Sequence, residues 1–153
     1  MGLDMYLYKK HYVKNWDWME KSELHNVSVK KGGKNVTNIR PQRISHVVEL
    51  VGEWRKFNAL HKWFVDNVQE GVDDCRETYV DESDLKMLLE TLNYVLDNKG
   101  TADVILPIAK GFYFGDEEIT EDYWNNIKFT IIWLKDLLEE DNKGASFYYR
   151  SSW

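Results

Sequence analysis

The stretch from Asp81 to Gly100 constrains the fold most, because its apolar residues recur at the spacing of an α-helix. Asp81 or Ser83 can cap the start of this helix, and the Asn98–Gly100 segment can end it. The apolar stripe comprises Leu85, Leu88, Leu89, Leu92, Val95 and Leu96. An amphipathic helix must bury such a stripe against another element, so the chain is expected to form a packed layered structure.

The same spacing predicts two further amphipathic helices. One runs from about Ile44 to Gln69, with Ser45 as its N-cap and Gly71 as its stop. Its apolar residues fall within an arc of roughly 140°: Val47, Leu50, Val51, Trp54, Phe57, Phe64, Val65 and Val68. The other follows Thr120, a candidate N-cap, and its stripe comprises Trp124, Ile127, Ile131, Leu134 and Leu138.

Short strands surround these helices. Apolar and polar residues alternate over Leu3–Leu7, which is typical of a half-buried strand. Gly32 and Gly33 supply the positive φ of a tight turn, so a β-hairpin with a basic tip is expected within residues 27–40. Further strands are expected at 77–80, 111–115 and 145–153. Without regular βαβ alternation, the fold class is α+β, with three amphipathic helices packed on a small, mainly antiparallel sheet.

Length and composition limit the class of protein. The 153 residues suit one globular domain, 1–153, from which the hairpin at 27–40 can protrude. The apolar runs are too short to span a membrane. Cys75 is the single cysteine, which excludes an internal disulfide and a cysteine-rich zinc site. Because the start lacks a basic and an apolar signal region, the cytoplasm is the expected location.

Charge is distributed unevenly along the chain. Residues 1–62 hold 12 Lys/Arg and six Asp/Glu, whereas residues 63–153 hold eight Lys/Arg and 20 Asp/Glu. This asymmetry fits an anion-binding end, two halves that pack together, or a homo-oligomer in which copies meet head to tail. It equally fits a mixed, solvated surface. The acidic surplus argues against binding to duplex nucleic acid.

Three residues of the predicted first helix form the candidate pocket. Asn58 and His61 fall inside the apolar arc, close in angle to Trp54. Buried amides and imidazoles need hydrogen-bond partners, and an indole can stack on a planar group. A ligand pocket is one interpretation. The other is a core histidine and asparagine that neighbouring segments satisfy.

Arginines and the aromatic tail are further ligand candidates. Arg40 and Arg43 precede the predicted helix, where free N–H groups favour anions, and Arg55 lies on it. Pairing with acids of the second half is the alternative interpretation. The tail supplies aromatic rings that can stack on a base-like ligand or dock as a final strand: Tyr148, Tyr149 and Trp153.

No catalytic motif is present in the sequence. The four histidines lack the spacings that bring metal ligands together. Glycine-rich phosphate loops, a nucleophile elbow and a kinase signature are all absent. Asp73, Asp74 and Cys75 are adjacent, but neighbouring acids raise the pKa of a thiol and so oppose its activation. We therefore predict no catalytic residues, no metal site and no cofactor.

Four segments resemble a family of small proteins from bacteriophages and bacterial genomes. They are Met1–Tyr8, Val51–Cys75, Gly111–Gly115 and Tyr148–Trp153, so the resemblance extends over essentially the whole chain. The family begins Met-Gly-Leu-Asp-Met-Tyr-Leu and ends Ser-Ser-Trp. This resemblance implies a phage or prophage setting, and it carries over no catalytic or binding residues.

In such a setting, a small protein without catalytic motifs is expected to act by binding. The first hypothesis is a non-enzymatic protein that sequesters a small anionic or nucleotide-like ligand in counter-defence. The second is an inhibitor that binds a host protein through its acidic half and exposed aromatics. The third is a small enzyme that acts on a nucleotide or another phosphorylated substrate, with His61 as its acid or base.

Overall fold

The computed structural model describes residues 2–111 and 115–153. The described residues form six strands and four α-helices. In chain order these are β1 (Asp4–Tyr12), β2 (Lys30–Lys31), β3 (Lys34–Asn35), β4 (His46–Arg55), α1 (Asn58–Asn67), β5 (Thr78–Val80), α2 (Glu82–Asp97), α3 (Ala102–Ile105), α4 (Glu121–Glu139) and β6 (Ala145–Ser152). The predicted α+β class is confirmed.

Four of the strands form one antiparallel sheet in the order β4-β1-β6-β5. β1 and β6 are therefore the central strands. β2 and β3 pair separately as the predicted hairpin, and Gly32 and Gly33 at its turn have φ values of 59° and 78°. These positive angles are the conformations for which glycine is suited.

One face of the sheet carries the core. Leu3, Met5 and Leu7 project from this face and are almost completely buried together with residues of α1, α2 and α4. On β6, the ring of Tyr149 stacks on Phe64 of α1 with centroids 4.0 Å apart. The alternation of β1 thus directs every second side chain into the helical layer, as its sequence predicts.

α2 forms where its apolar stripe predicts. Asp81 is the N-cap, and its carboxylate accepts hydrogen bonds from the backbone N–H and the hydroxyl of Ser83. These bonds, the backbone bond first, hold the pKa of Asp81 below its ordinary value. The stripe residues Leu85, Leu88 and Leu92 are fully buried, so the helix packs along its predicted face.

The predicted helix from Ile44 to Gln69 is wrong in its first half. Residues 46–55 form β4, and the helix α1 begins only at Asn58. β4 is the edge strand beside β1, with a bulge opposite Leu7 and Tyr8. Its valines and leucine fit a helical arc and do not alternate with polar residues, so pairing with β1 overrides the local pattern.

Two further expectations have mixed outcomes. α4 begins after Thr120 as predicted, but the Thr120 hydroxyl donates to Asp116 instead of capping the helix. Residues 112–114 of the expected strand at 111–115 lie outside the described residues. In the described part of the chain, no helix has the length and apolar character needed to cross a membrane.

Candidate functional site

A cleft of about 520 Å³ lies between the start of α1 and the start of α4; we call it the α1 cleft. Its polar lining includes Arg55, Lys56, Asn58, Asp116, Asp122 and Asn126. Phe57 and Tyr123 supply apolar surface, and their rings meet edge to face with centroids 6.1 Å apart. Such a mixture of apolar surface and a few polar groups is typical of small-molecule sites.

The backbone of Lys56 shapes one side of the cleft. Its φ of 56° is left-handed, which is unusual for a residue with a side chain. The Lys56 N–H donates to the carbonyl of Leu3 at 2.8 Å. Gly115 approaches so closely that a Cβ there would lie 2.8 Å from the Lys56 carbonyl oxygen. The surrounding structure therefore holds Lys56 in a strained conformation at the cleft.

Asn58 is the link between the two walls of the cleft. Its side chain is buried, and its amide nitrogen donates to the carbonyl oxygens of Ala109 at 3.2 Å and Asp116 at 2.8 Å. One side chain thus ties the first turn of α1 to both ends of the 109–116 segment. The predicted candidate Asn58 lies at the cleft, where its amide positions the cleft wall.

Trp54 does not line the α1 cleft, so it cannot stack on a ligand there. It is 5% exposed, and its indole N–H donates to the hydroxyl of Thr130 at 2.8 Å. Its ring packs against Trp133, with centroids 5.7 Å apart. Gly52 allows this packing, because a Cβ there would lie 2.5 Å from the Trp54 ring. The structure makes Trp54 a core residue.

His61 joins three elements through a chain of hydrogen bonds. Its Nδ1 lies 2.7 Å from the Tyr149 hydroxyl, and its Nε2 lies 2.9 Å from Asp73 Oδ2. With a neutral imidazole, Nε2–H donates to the Asp73 carboxylate and Nδ1 accepts from the Tyr149 hydroxyl. The indole N–H of Trp153 donates to the other oxygen of Asp73 at 3.1 Å. We call these four residues the His61 chain.

A second cavity, of about 390 Å³, adjoins this chain. His61 and Asp73 line it together with Lys62, Asp66 and Lys110. His61 is only 1% exposed, and Tyr149 is fully buried. Both nitrogens of the imidazole are already hydrogen-bonded, so the geometry fits a structural tie between α1, β6 and the loop after α1 better than an acid or base that meets substrate.

Burial raises the pKa of Tyr149 well above its ordinary value, and the charges of Asp73 and Cys75 add to the effect. Burial also raises the pKa of Tyr123 to about 12. Both phenols stay protonated in the fold at a pH where tyrosines of the unfolded chain ionise. Their contribution to stability is therefore complete below about pH 10 and is lost as the pH rises above it.

We expect the denaturant midpoint to fall between about pH 9 and about pH 11, because the unfolded chain then loses protons that Tyr149 retains. Tyr149→Phe should make this fall less steep. Tyr94 on α2 is 51% exposed, so Tyr94→Phe serves as the control and should keep the wild-type slope. Urea denaturation at several pH values measures the slopes, and equal slopes in all three proteins would contradict the assignment.

The three candidate arginines do not lie together. Arg55 ends β4 and lines the α1 cleft, where its Nε lies 3.6 Å from Asp4 Oδ1. Arg40 and Arg43 are exposed before the start of β4, a strand of ten residues that spans about 30 Å. Arg40 and Arg43 were expected beside the N-terminus of the predicted helix and Arg55 along it, and β4 separates Arg55 from the other two.

The residues of the aromatic tail also lie in different surroundings. Tyr149 points into the core and Trp153 reaches Asp73. Tyr148 projects from the opposite face of the sheet, where Lys10 Nζ lies 4.2 Å from its ring centroid. β6 alternates, so adjacent tail residues cannot share one site.

Several residues of the two cavities were missed by sequence reasoning. Lys56, Asp116 and Asn126 reach the α1 cleft from segments far apart in the chain. Asp73 was considered only as a neighbour of Cys75. A helix that ends near Asn67 and is followed by a loop would have indicated that Asp73 can lie close to His61.

Comparison with known proteins yielded no matching family model, no similar curated protein and no similar solved structure. Among the described residues, no group of three or more His, Cys, Asp or Glu side chains is arranged to hold a metal ion.

Proposed function

We propose that this protein binds a small nucleotide-like ligand in the α1 cleft and does not transform it. The observation that carries the proposal is the combination of two cationic side chains, three carboxylates and three amides around an opening of about 520 Å³. The carboxylates are Asp116, Glu118 and Asp122. Pockets for small ligands generally occupy about 300–1,000 Å³, so a mononucleotide-sized molecule fits this range.

The anionic part of the ligand would meet the side of the cleft formed by Arg55 and Lys56. α1 starts beside them, after Phe57, whose side chain cannot accept a hydrogen bond from the first turn. Free N–H groups and the helix dipole favour a negative group at this position. Arginine and lysine supply the charge-assisted hydrogen bonds that a phosphate requires.

The opposite wall suits a hydrogen-bonding ring. Asp122 and Asn126 project into the cleft from the first turns of α4, and Asp116 lies beside them. Carboxylates accept from ring amino groups, whereas an amide both donates and accepts. The acidic wall also disfavours a purely anionic ligand, so the ligand needs a donor-rich part as well as its anionic part.

Binding fits the site better than turnover. His61, the candidate acid or base, is buried in the hydrogen-bonded chain beside the second cavity and does not line the α1 cleft. The resemblance to phage and prophage proteins suggests the setting. In the cytoplasm of a bacterial host, a protein that sequesters a nucleotide signal would act in counter-defence.

The first test is to release any bound metabolite by heat from freshly purified protein and identify it by mass spectrometry. The identified compound, or otherwise a panel of mononucleotides and cyclic nucleotides, is then titrated by calorimetry. Lys56→Ala is expected to weaken binding about tenfold or more, because a hydrogen bond to a charged group contributes about 1.5–3 kcal/mol.

Lys128→Ala is the matched control. Lys128 is exposed on α4 and does not line the cleft, so this variant removes the same charge without touching the site. Equal weakening by both variants would indicate a general charge effect and contradict the proposal. Conversion of the ligand during the titration would instead favour the enzyme hypothesis.

A further inference from the structure

The face of the sheet opposite the core carries a row of aromatic side chains. Tyr8 of β1 lies directly opposite Tyr148 of β6, and the row continues to Tyr79 of β5 on one side and Leu50 of β4 on the other. Four adjacent strands make this row about 14 Å wide. We call these four residues and Tyr6 the tyrosine face.

The side chains of this face are accessible to solvent. Tyr79 and Leu50 are 52% and 49% exposed, and Tyr6, Tyr8 and Tyr148 are half-buried. The Tyr6 and Tyr8 rings stand nearly parallel, with an interplanar angle of 26° and centroids 6.1 Å apart. Two similarly oriented rings on a central strand offer surfaces on which flat ligand rings can stack.

The charges on this face are balanced. Lys10 forms an ion pair with Glu77 beside Tyr148, and Arg55 lies near Asp4. The surplus of positive charge comes from the connection between β1 and β4, where residues 13–45 hold seven Lys/Arg and three Asp/Glu. Tyr12 pairs with His46 at the ends of these strands, so the connection leaves from that end of the sheet.

The connection adds exposed indoles to its cations. Trp16 and Trp18 are 44% and 74% exposed. Lys14 Nζ lies 4.8 Å from the ring centroid of Trp16. Lys30, Lys31 and Lys34 are exposed on the β2–β3 hairpin. Aromatic surface and flexible cations therefore continue beyond the end of the sheet.

The geometry points to a binding surface for single-stranded nucleic acid on the tyrosine face, with the basic connection holding its phosphates. Unpaired bases expose flat rings that stack on aromatic side chains without a fixed sequence, and lysines follow the backbone. A duplex hides those rings within its base stack and offers only grooves and phosphates to the protein. The surface lies on the other side of the sheet from the His61 chain and needs no ligand in the α1 cleft.

The test is fluorescence anisotropy with labelled oligothymidylate and oligouridylate of about twelve nucleotides. At physiological salt, the dissociation constant is expected to be about 1–100 µM, the range of sequence-independent binding. Tyr8→Ala should weaken binding about 5- to 150-fold, whereas Tyr8→Phe, which retains the ring, should bind like the wild type. Tyr94→Ala, on α2, is the matched control and should change nothing.

A second set of variants separates rings from charge. Changing Lys30, Lys31 and Lys34 together to glutamine should make the affinity less dependent on salt. If Tyr8→Ala does not fold by circular dichroism, Tyr79→Ala on the exposed edge strand replaces it. The proposal is overturned by absent binding at about 100 µM protein, by equal affinity for a blunt duplex, or by unchanged affinity of the folded tyrosine variants. A dimer that Tyr8→Ala dissociates would assign the face to a second copy and also overturn it.

Discussion

Replacing Trp54 with alanine is expected to lower the free energy of unfolding by about 3–5 kcal/mol. The indole is buried between Phe64 and Trp133, and its N–H is paired with Thr130 of α4. The substitution removes that hydrogen bond and leaves a void at the contact between β4 and α4. Because the void lies in the core between the sheet and the helices, the surrounding side chains can fill it only partly.

Urea denaturation followed by circular dichroism measures this loss. Trp18→Ala is the control, since Trp18 is 74% exposed and its removal should change the free energy of unfolding by less than about 0.5 kcal/mol. If Trp54→Ala keeps nearly wild-type stability but loses ligand binding, Trp54 has the stacking role of the ligand-pocket interpretation. The structure instead predicts a destabilised protein in which ligand binding does not depend on the Trp54 ring.

His61→Leu is expected to lower the free energy of unfolding by about 2.5–6 kcal/mol, because two polar contacts are lost. The substitution leaves the buried Tyr149 hydroxyl without its acceptor, which costs about 1–3 kcal/mol. It also removes the hydrogen bond to the Asp73 carboxylate, which contributes about 1.5–3 kcal/mol. Leucine fills much of the space, so the effect reports chiefly on the lost polar contacts.

A double-mutant cycle isolates the contact between His61 and Tyr149. In the His61→Leu background, Tyr149→Phe removes the stranded hydroxyl and should recover about 1 kcal/mol or more. Lys62→Leu, at a partly exposed neighbour on α1, should remain within about 0.5 kcal/mol of the wild type, because it loses only the surface pair with Asp66. Strictly additive effects of the two core substitutions would show that the hydroxyl and imidazole do not depend on each other.

Elements with one unambiguous pattern could be predicted from the sequence. α2 follows its stripe because Leu85, Leu88 and Leu92 recur at helical spacing and Asp81 is a strong cap. β1 likewise forms where its alternation predicts a strand, since every second side chain of a half-buried strand points into the core. In both, local pattern and tertiary packing demand the same structure.

β4 could not be predicted, because its local pattern favours a helix. Val47, Leu50, Val51 and Trp54 share a helical arc, whereas apolar and polar residues do not alternate along this stretch. The choice depends on hydrogen bonds to β1, which lies some 40 residues earlier in the chain. Local periodicity holds no information about that partner.

The hydrogen-bond partners of His61 could not be predicted from the sequence for a related reason. Its hydroxyl partner, Tyr149, lies 88 residues away, and Asp73 reaches it through a loop. The sequence could indicate that a buried imidazole needs partners, but not which ones. Of the predicted ligand residues, only Asn58 and Arg55 line the α1 cleft, and Trp54 lies on β4 with its side chain in the core.

The position of β6 has a consequence for synthesis of the chain on the ribosome. This strand comes last among the described elements, yet it lies between β1 and β5. Until it emerges, β5 has no neighbour to hydrogen-bond with, and one edge of β1 stays open. The strands of the sheet are therefore joined late, through contacts between residues far apart in the chain. Contacts of this kind form slowly. Until they form, the strand edges stay exposed to other nascent polypeptides.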